Sequence, residues 1–500
     1  MHFFRIVCRK RGEVLKRLLT KYKTAPKHIK ASFWFLICSF LQKGIMVIVT
    51  PIFTRIMSTQ EYGQFGVFNS WMNIMSVFVT MNLFSGMYTR GLVKYENDKK
   101  IFSSSLQGLV LLLTSCWTII YLCFQSNFNS LTSLTTTQTL FMLLLIWTSA
   151  AFSFWAAEQR VELRYSALVA LTLCVSIIKP IVGIFLVTHT EDKVTARIFG
   201  LAMVELIFFT GCFISQVRHG KRLFSRKYWK EAILFNIPLI PHYLSMTVLN
   251  GADKIMIERI VGSAEAGVYN LAYQLSQVMM LFNMALNQTI EPWLYKKINY
   301  EETEDIQRVA YPSWAFIAVI NLLLIALAPE IVAIFAPPEY GEAIWVVPPI
   351  AMSGYFIFQY AFFAVFEFYY EKTRMAAVAT CSGALLNIIL NAIFIDKFGY
   401  YAAGYTTLLC YAVYAMMHYV FMRKTLKHDG KDEKVYSSQF MTILSCAFLL
   451  CGFGLMTTYR HPLVRYALLI SAFLVLLVCR KKLVSVVKAF FEIRGSRRES

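Results

Sequence analysis

Four ionisable side chains stand in, or at the edge of, long apolar runs: Lys43, Lys179, Glu205 and Asp253. A charge in hydrocarbon costs at least about 2.5–3.5 kcal/mol at mid-helix on insertion scales, so it normally faces a partner or a wet cavity. A buried amine needs a carboxylate, water or an anionic ligand. Lys43 and Lys179 are therefore candidate anion-binding residues. Glu205 and Asp253 are candidates for coupling an ion, a proton or sodium. A second outcome stays open, in which Glu205 pairs with Lys179 and each neutralises the other. Polar side chains recur at helical spacing around these four. Lys43 shares a face with Ser39, Thr50 and Thr54, and Asn73 with Asn69, Ser76 and Thr80. Asn250 aligns with Asn236, Thr247 and Lys254, and Asn270, Gln274, Gln277, Gln288 and Glu291 form the longest stripe. Asn73, Asn250, Gln274 and Gln277 are the candidates for holding a polar ligand. The competing reading is structural: such groups bond helix to helix, at about 0.6 kcal/mol per bond in a membrane.

Catalysis finds no support. The eight histidines form no HExxH or metal-ligand spacing. No GxSxG nucleophile turn and no phosphate-binding GxxxxGK[ST] occurs. No catalytic residue, metal or cofactor is expected.

The elements that must position these side chains are membrane spans. Of the 500 residues 57% are hydrophobic and only 16% charged, where a soluble chain is nearer a quarter charged. A span needs about 20 mostly apolar residues. That rule places fourteen: 32–54, 66–86, 101–124, 138–156, 166–187, 195–216, 232–252, 266–289, 310–328, 344–366, 376–395, 402–421, 438–457 and 464–479. The first run lacks a small-residue cleavage site and reads as a retained helix. The 11 cysteines are scattered and read as small apolar packing residues. The formal charge is +20, and every second connection is basic. One set of connections, with the two ends, carries 39 of the 49 Lys/Arg, the other set carries 8, and Lys43 and Lys179 lie within spans. The positive-inside rule then puts both termini in the cytoplasm. The charge reads as orientation and attraction to anionic lipid, not as nucleic-acid binding.

A repeat divides the chain. RIMSTQEYGQF (Arg55 to Phe65) and RIVGSAEAGVY (Arg259 to Tyr269) align without a gap, 204 residues apart. The same offset pairs Asp192-Lys193 with Asp396-Lys397, and Gly200 with Gly404. Six spans separate each feature from its partner, so both copies share one orientation, a transporter pattern in which substrate binds between the halves. In each copy Ser58/Thr59 or Ser263 suits a helix start, Glu61 or Glu265 its positive dipole end, and Gly63 or Gly267 a close approach. Arg55 and Arg259 suit carbonyls or headgroups at the outer interface. The expected organisation is a basic cytoplasmic segment 1–31, a six-helix N-lobe 32–220, a six-helix C-lobe 221–425, helices 13–14 in 426–482 and a basic tail 483–500.

PIFTRIMSTQEYGQFGVF, NGADKIMIERIVGSAEAGVYNLAYQLSQ and IFAPPEYGEAIWVVPPIA resemble segments of bacterial polysaccharide flippases, of the multidrug/oligosaccharidyl-lipid/polysaccharide exporter superfamily. The likeness runs over about residues 30–480. It implies an all-α polytopic fold of about 14 helices, with two lobes forming a V and two appended helices. It also implies an inner-membrane transporter that moves undecaprenyl-diphosphate-linked oligosaccharide to the outer leaflet for O-antigen and lipopolysaccharide, capsule or exopolysaccharide. Asp253 resembles an Asp common at this place in that family. The partners it implies are the lipid-linked oligosaccharide, membrane lipid, a polysaccharide polymerase and a chain-length regulator. Two alternatives remain: a multidrug and toxin exporter of the same superfamily, which fits poorly with cavity lysines, and a glycan polymerase or ligase, which short external loops disfavour.

Overall fold

The computed structural model describes residues 26–302, 304–428 and 435–478; the expected basic segments over 1–25 and 483–500 lie outside them. The described residues are helical throughout, with no strand. In hydrocarbon every backbone N–H and C=O must be satisfied within its own segment, and a helix does that. Hydroxyl and amide side chains along these helices close the same way, on the carbonyl one turn back. Ser39 donates to the Phe35 oxygen at 2.9 Å, Asn69 to that of Phe65 at 2.9 Å and Ser176 to that of Thr172 at 2.7 Å.

In chain order the helices are α1 (Lys27–Ile56), α2 (Thr59–Thr80), α3 (Gly86–Lys94), α4 (Lys99–Cys123), α5 (Gln125–Thr132), α6 (Thr136–Val161), α7 (Tyr165–Thr188), α8 (Lys193–Gly220), α9 (Arg226–Asn236) and α10 (Ile240–Ile260). They continue as α11 (Ser263–Ser276), α12 (Val278–Asn299), α13 (Glu304–Ala326), α14 (Ala328–Phe335), α15 (Val347–Tyr369), α16 (Thr373–Phe398), α17 (Tyr401–His428), α18 (Ser438–Thr457) and α19 (Pro462–Val478). Ten stretches are long and apolar enough to cross a membrane, which makes this a multi-pass membrane protein. The other four expected spans fall on α2, on α11 with α12, on α17 and on α19, which are outside those ten. Polarity is the reason for two of them: α2 carries Asn69 and Asn73, and α17 buries Thr406, Thr407 and His418; of α19, the described residues number 17. The expected eighth span is broken, with α11 ending and α12 beginning around Gln277. The seventh helix also runs further than expected, so Asp253 and Lys254 lie inside α10.

The chain forms two compact units. The first comprises residues 1–49, 78–190 and 195–238. Its centre is an aromatic cluster of Tyr88, Phe102, Phe154 and Tyr228, in which the Tyr88 ring lies 4.7 Å from Phe154 and the Tyr228 ring 5.3 Å from Phe102. The second comprises residues 50–77, 191–194 and 239–500. Its hub is α15, buried along most of its length and packed by α12, α13, α16, α17 and α18.

Within the second unit the two copies of the repeat meet. A Cβ added to Gly63 would overlap the Ser263 carbonyl oxygen and lie 2.7 Å from the Gly267 nitrogen. One added to Gly267 would overlap the Thr59 carbonyl oxygen. Thr59 and Ser263, like Gly63 and Gly267, are partners at the 204 offset. The contact is thus reciprocal, as in a two-fold dimer where residue i meets j and j meets i. Gly66 faces Asn270, again its offset partner, with a hypothetical Cβ 2.7 Å from the Asn270 Cγ. This seam explains why residues 50–77 cluster with the second unit.

The starts of α2 and α11 are built differently. At α2 the Ser58 N–H donates to Glu61 Oε2 at 2.7 Å and the Glu61 N–H to Ser58 Oγ at 3.2 Å, a reciprocal capping box. Lys193 Nζ stands 3.8 Å from the same carboxylate. The second copy has Gly262 in place of the serine, at φ +149°, where a side chain would be strained. Ser58→Ala is expected to lower stability by about 1 kcal/mol, read as a lower melting temperature of the detergent-purified protein.

Candidate functional site

In the first unit, Lys179 of α7 and Glu205 of α8 form an ion pair, Nζ to Oε1 at 2.5 Å. The other carboxylate oxygen of Glu205 accepts from Thr148 at 2.7 Å and Ser149 at 2.9 Å, both on α6. Three helices therefore converge on one carboxylate that is 7% exposed, against 25% for the lysine. The Lys179 amine also lies 5.4 Å from the Phe209 ring centroid. Pro180 lacks an N–H, which removes one ladder bond of α7 beside the pair. Of the two outcomes left open for Lys179, the structure shows the paired one. Lys43, on α1, is exposed and has no ion-pair partner among the described residues.

In the second unit, Asp253 of α10 is 1% exposed and fully engaged. Its Oδ2 accepts from the Tyr269 hydroxyl at 2.7 Å and from Thr407 at 2.9 Å. Its Oδ1 accepts from Asn391 at 2.6 Å. Asn391 also donates to Asn387 at 3.2 Å and accepts from Thr406. Helices α10, α11, α16 and α17 thus bring one carboxylate, two amides, two hydroxyls and a phenol together. Nearby, Asn250 is exposed, donates to the Met246 oxygen at 2.7 Å and accepts from the Tyr411 hydroxyl at 3.0 Å. Gln274 is half-buried and accepts from Thr50 at 3.2 Å. Gln277 is half-buried at the break between α11 and α12, and Asn73 is exposed on α2. Arg55 donates to the carbonyls of Pro51 at 2.7 Å and Ile334 at 2.9 Å, while Thr54 donates to that of Phe335 at 2.7 Å.

Three groups stand beyond the sequence-level candidates. Lys254 is half-buried with its amine 4.4 Å from the Tyr273 ring centroid; its place in the Asn250 stripe was a usable signal. Gln216 joins α8 to α4 through Gln107 at 2.7 Å, to Tyr88 at 3.1 Å and to Glu158. Glu367 and His418 pair across α15 and α17 at 2.7 Å. They are 51 residues apart, so no local spacing could announce them; only their position at or within apolar runs could.

Solved structures share this fold. A lipid II flippase, MurJ, in an inward closed conformation, superposes with a TM-score of 0.69 at 14% identity, covering 89% of this chain and 99% of that one. An inward-facing multidrug resistance MATE family transporter of the MOP superfamily gives 0.57 at 12% identity, covering 77% and 95%. The chain therefore shares the fold of these two transporters. The family model described as "Polysaccharide biosynthesis protein" matches residues 29–298. The chain belongs to that family. Among curated proteins it is 23% identical over 206 residues to Lsg locus putative protein 1 of Haemophilus influenzae, covering 39% of this chain. It is 27% identical over 172 residues to the probable low-salt glycan biosynthesis flippase Agl15 of Haloferax volcanii, covering 33% of this chain. The matches span 50% and 36% of the lengths of those relatives.

Proposed function

We propose that this transporter carries an undecaprenyl-diphosphate-linked oligosaccharide from the cytoplasmic to the outer leaflet of the inner membrane, by alternating access. On this reading fourteen spans and two six-helix lobes carry the motion, and both termini are cytoplasmic. The physical obstacle is the headgroup, since each sugar hydroxyl left unpaired in hydrocarbon costs several kcal/mol. Asn73, Asn250, Gln274 and Gln277 would replace water along the path, and an amine would meet the diphosphate.

The observation that carries the reading is Lys43, a cation in a membrane helix that is exposed and has no ion-pair partner among the described residues. Such a group costs free energy unless an anion or water meets it. Lys179 enters the path only when Glu205 releases it, so the two act as a unit: protonation of Glu205 would free the amine for the phosphate. Outward movement of negative charge is itself downhill, by about 2.3 kcal/mol per charge per 100 mV. The further coupling ion, proton or sodium, is placed at Asp253. Lys43→Glu is expected to abolish surface glycan in a cell that depends on this protein, with membrane insertion retained, while Lys43→Arg keeps it. Normal surface glycan with Lys43→Glu would overturn the reading. In vesicles, Asp253→Asn is expected to remove the response of transport to the driving ion gradient; an unchanged response excludes Asp253 as the coupling site.

A further inference from the structure

The Glu367–His418 pair is buried on all sides: the side chains are 0% and 2% exposed. His418 Nδ1 meets Glu367 Oε1 at 2.7 Å. The far atoms, Glu367 Oε2 and His418 Nε2, are buried without a hydrogen-bond partner among the described residues. Each end of the pair thus keeps an open position for a proton or a water. The imidazole is walled by aromatics, stacked on Tyr360 at 5.2 Å and edge-on to Tyr414 at 4.5 Å. Tyr360 in turn lines a cavity of about 170 Å³ with Asn287 and Glu291 of α12 and Phe368 of α15. That is room for several waters at about 30 Å³ each, beside a residue that stacks on the histidine.

The groups around the pair are few. On α15 there is Tyr360; on α17, Tyr414 and, against Phe363, Tyr419. Helix α12 presents Glu291 to the cavity and Tyr295 to Tyr369. Tyr436 packs on Phe366, and the Lys372 N–H ahead of α16 donates to the Glu367 carbonyl at 2.8 Å. Helix α13 faces this region with Trp314, which is not titratable. No lysine or arginine side chain makes an ion pair with Glu367 among the described residues, so the imidazole is its counter-group.

We propose that Glu367 and His418 form a proton-binding site, distinct from Asp253, that takes up and releases one proton as the transporter cycles. With one proton between them the two groups are net neutral, the state a low-dielectric interior favours. With none the pair is a bare buried anion. Before the site closes, the pair takes a proton from hydronium in the water of the cavity beside Tyr360, leaving water; when water next reaches the cavity, the pair gives the proton back to it. Atoms and charge balance, and the only reactants are water and the proton gradient. The inference needs the transporter class alone, not the identity of the glycan.

The probe is the proton itself. Full-length protein in detergent is titrated with a pH dye between about pH 5 and 8, where histidine ordinarily changes charge. Against wild type, His418→Gln and Glu367→Gln should each lose about one proton of uptake and the double variant no more than either single, because the two groups titrate as one unit. ¹⁵N-imidazole NMR of the wild-type chain provides a reading free of variants: the His418 resonance should titrate together with a carboxyl band in the infrared. Equal uptake by wild type and His418→Gln, additive losses in the double variant, or a His418 signal that titrates without the carboxyl band would each overturn the proposal. If both singles lose the proton while proton-driven transport in vesicles is unchanged, the claim that the site works in the cycle falls, whatever glycan is carried.

Discussion

Gly63→Val should leave little or no folded, active protein. A Cβ at this position overlaps the Ser263 carbonyl oxygen, a backbone atom that cannot rotate aside. The only relief is to move α2 off α11, which also breaks the reciprocal contact at Gly267 and the packing of Gly66 on Asn270. Overpacking a tight interface costs about 1–3 kcal/mol and sometimes more, and in lipid the association of helices rests on just such close approach of small residues. Gly63→Ala should show the same sign at smaller size. The contrast that makes this specific is Gly454 of α18, where a Cβ would meet nothing within 4 Å. There, glycine to alanine removes only a helix penalty of about 1 kcal/mol, so Gly454→Ala should be neutral or stabilising. Because one separation relieves both clashes, Gly63→Ala with Gly267→Ala should cost less than the two singles added. Thermal melting of fluorescently tagged variants in detergent, the Gly267→Ala single included, reads all five. Equal melting of Gly63→Ala and Gly454→Ala would show that the seam is loose.

The seam also marks how far the sequence could be read. The repeat, the parallel orientation of its copies and the glycines suited to close approach are visible in two short phrases. What they approach is not, because nothing in RIMSTQEYGQF says that its neighbour is RIVGSAEAGVY rather than lipid. Two spans with a polar inward face, α2 and α17, fall short on hydropathy, since a helix buried among other helices needs no lipid-facing surface all round; the α2 stripe was legible in the sequence, whereas Thr406, Thr407 and His418 of α17 were not singled out. Individual polar groups were legible as unusual and not as partnered. Asp253 and Glu205 were both singled out, yet their partners lie far off in sequence, 138 and 154 residues away at Asn391 and Thr407 in one case and 57 residues away at Thr148 in the other. Lys43 and Lys179 looked alike in sequence and differ in structure for that reason alone: one has a carboxylate on a neighbouring helix.

That difference sets the last expectation. Removing the Glu205 carboxylate leaves the Lys179 cation and the Ser149 hydroxyl without their acceptor in a membrane helix bundle, while Thr148 keeps only the Leu145 carbonyl. Breaking one side of a buried pair costs about 3–5 kcal/mol, whereas replacing both members with apolar residues of similar volume is often neutral or better. Glu205→Ala should therefore be among the most destabilising single changes in the first unit, and Glu205→Leu with Lys179→Met should recover most of the loss. Glu205→Gln keeps an acceptor and two donors, so it should fold better than alanine while leaving Lys179 permanently free of a carboxylate. If the pair is only a strut, the Leu/Met variant should restore both melting temperature and surface glycan. If Lys179 alternates between Glu205 and a phosphate, that variant should recover stability but not glycan, and Glu205→Gln, which keeps the amine available, should still carry out transport. An undiminished melting temperature in Glu205→Ala would mean that Lys179 already has water or another anion to turn to.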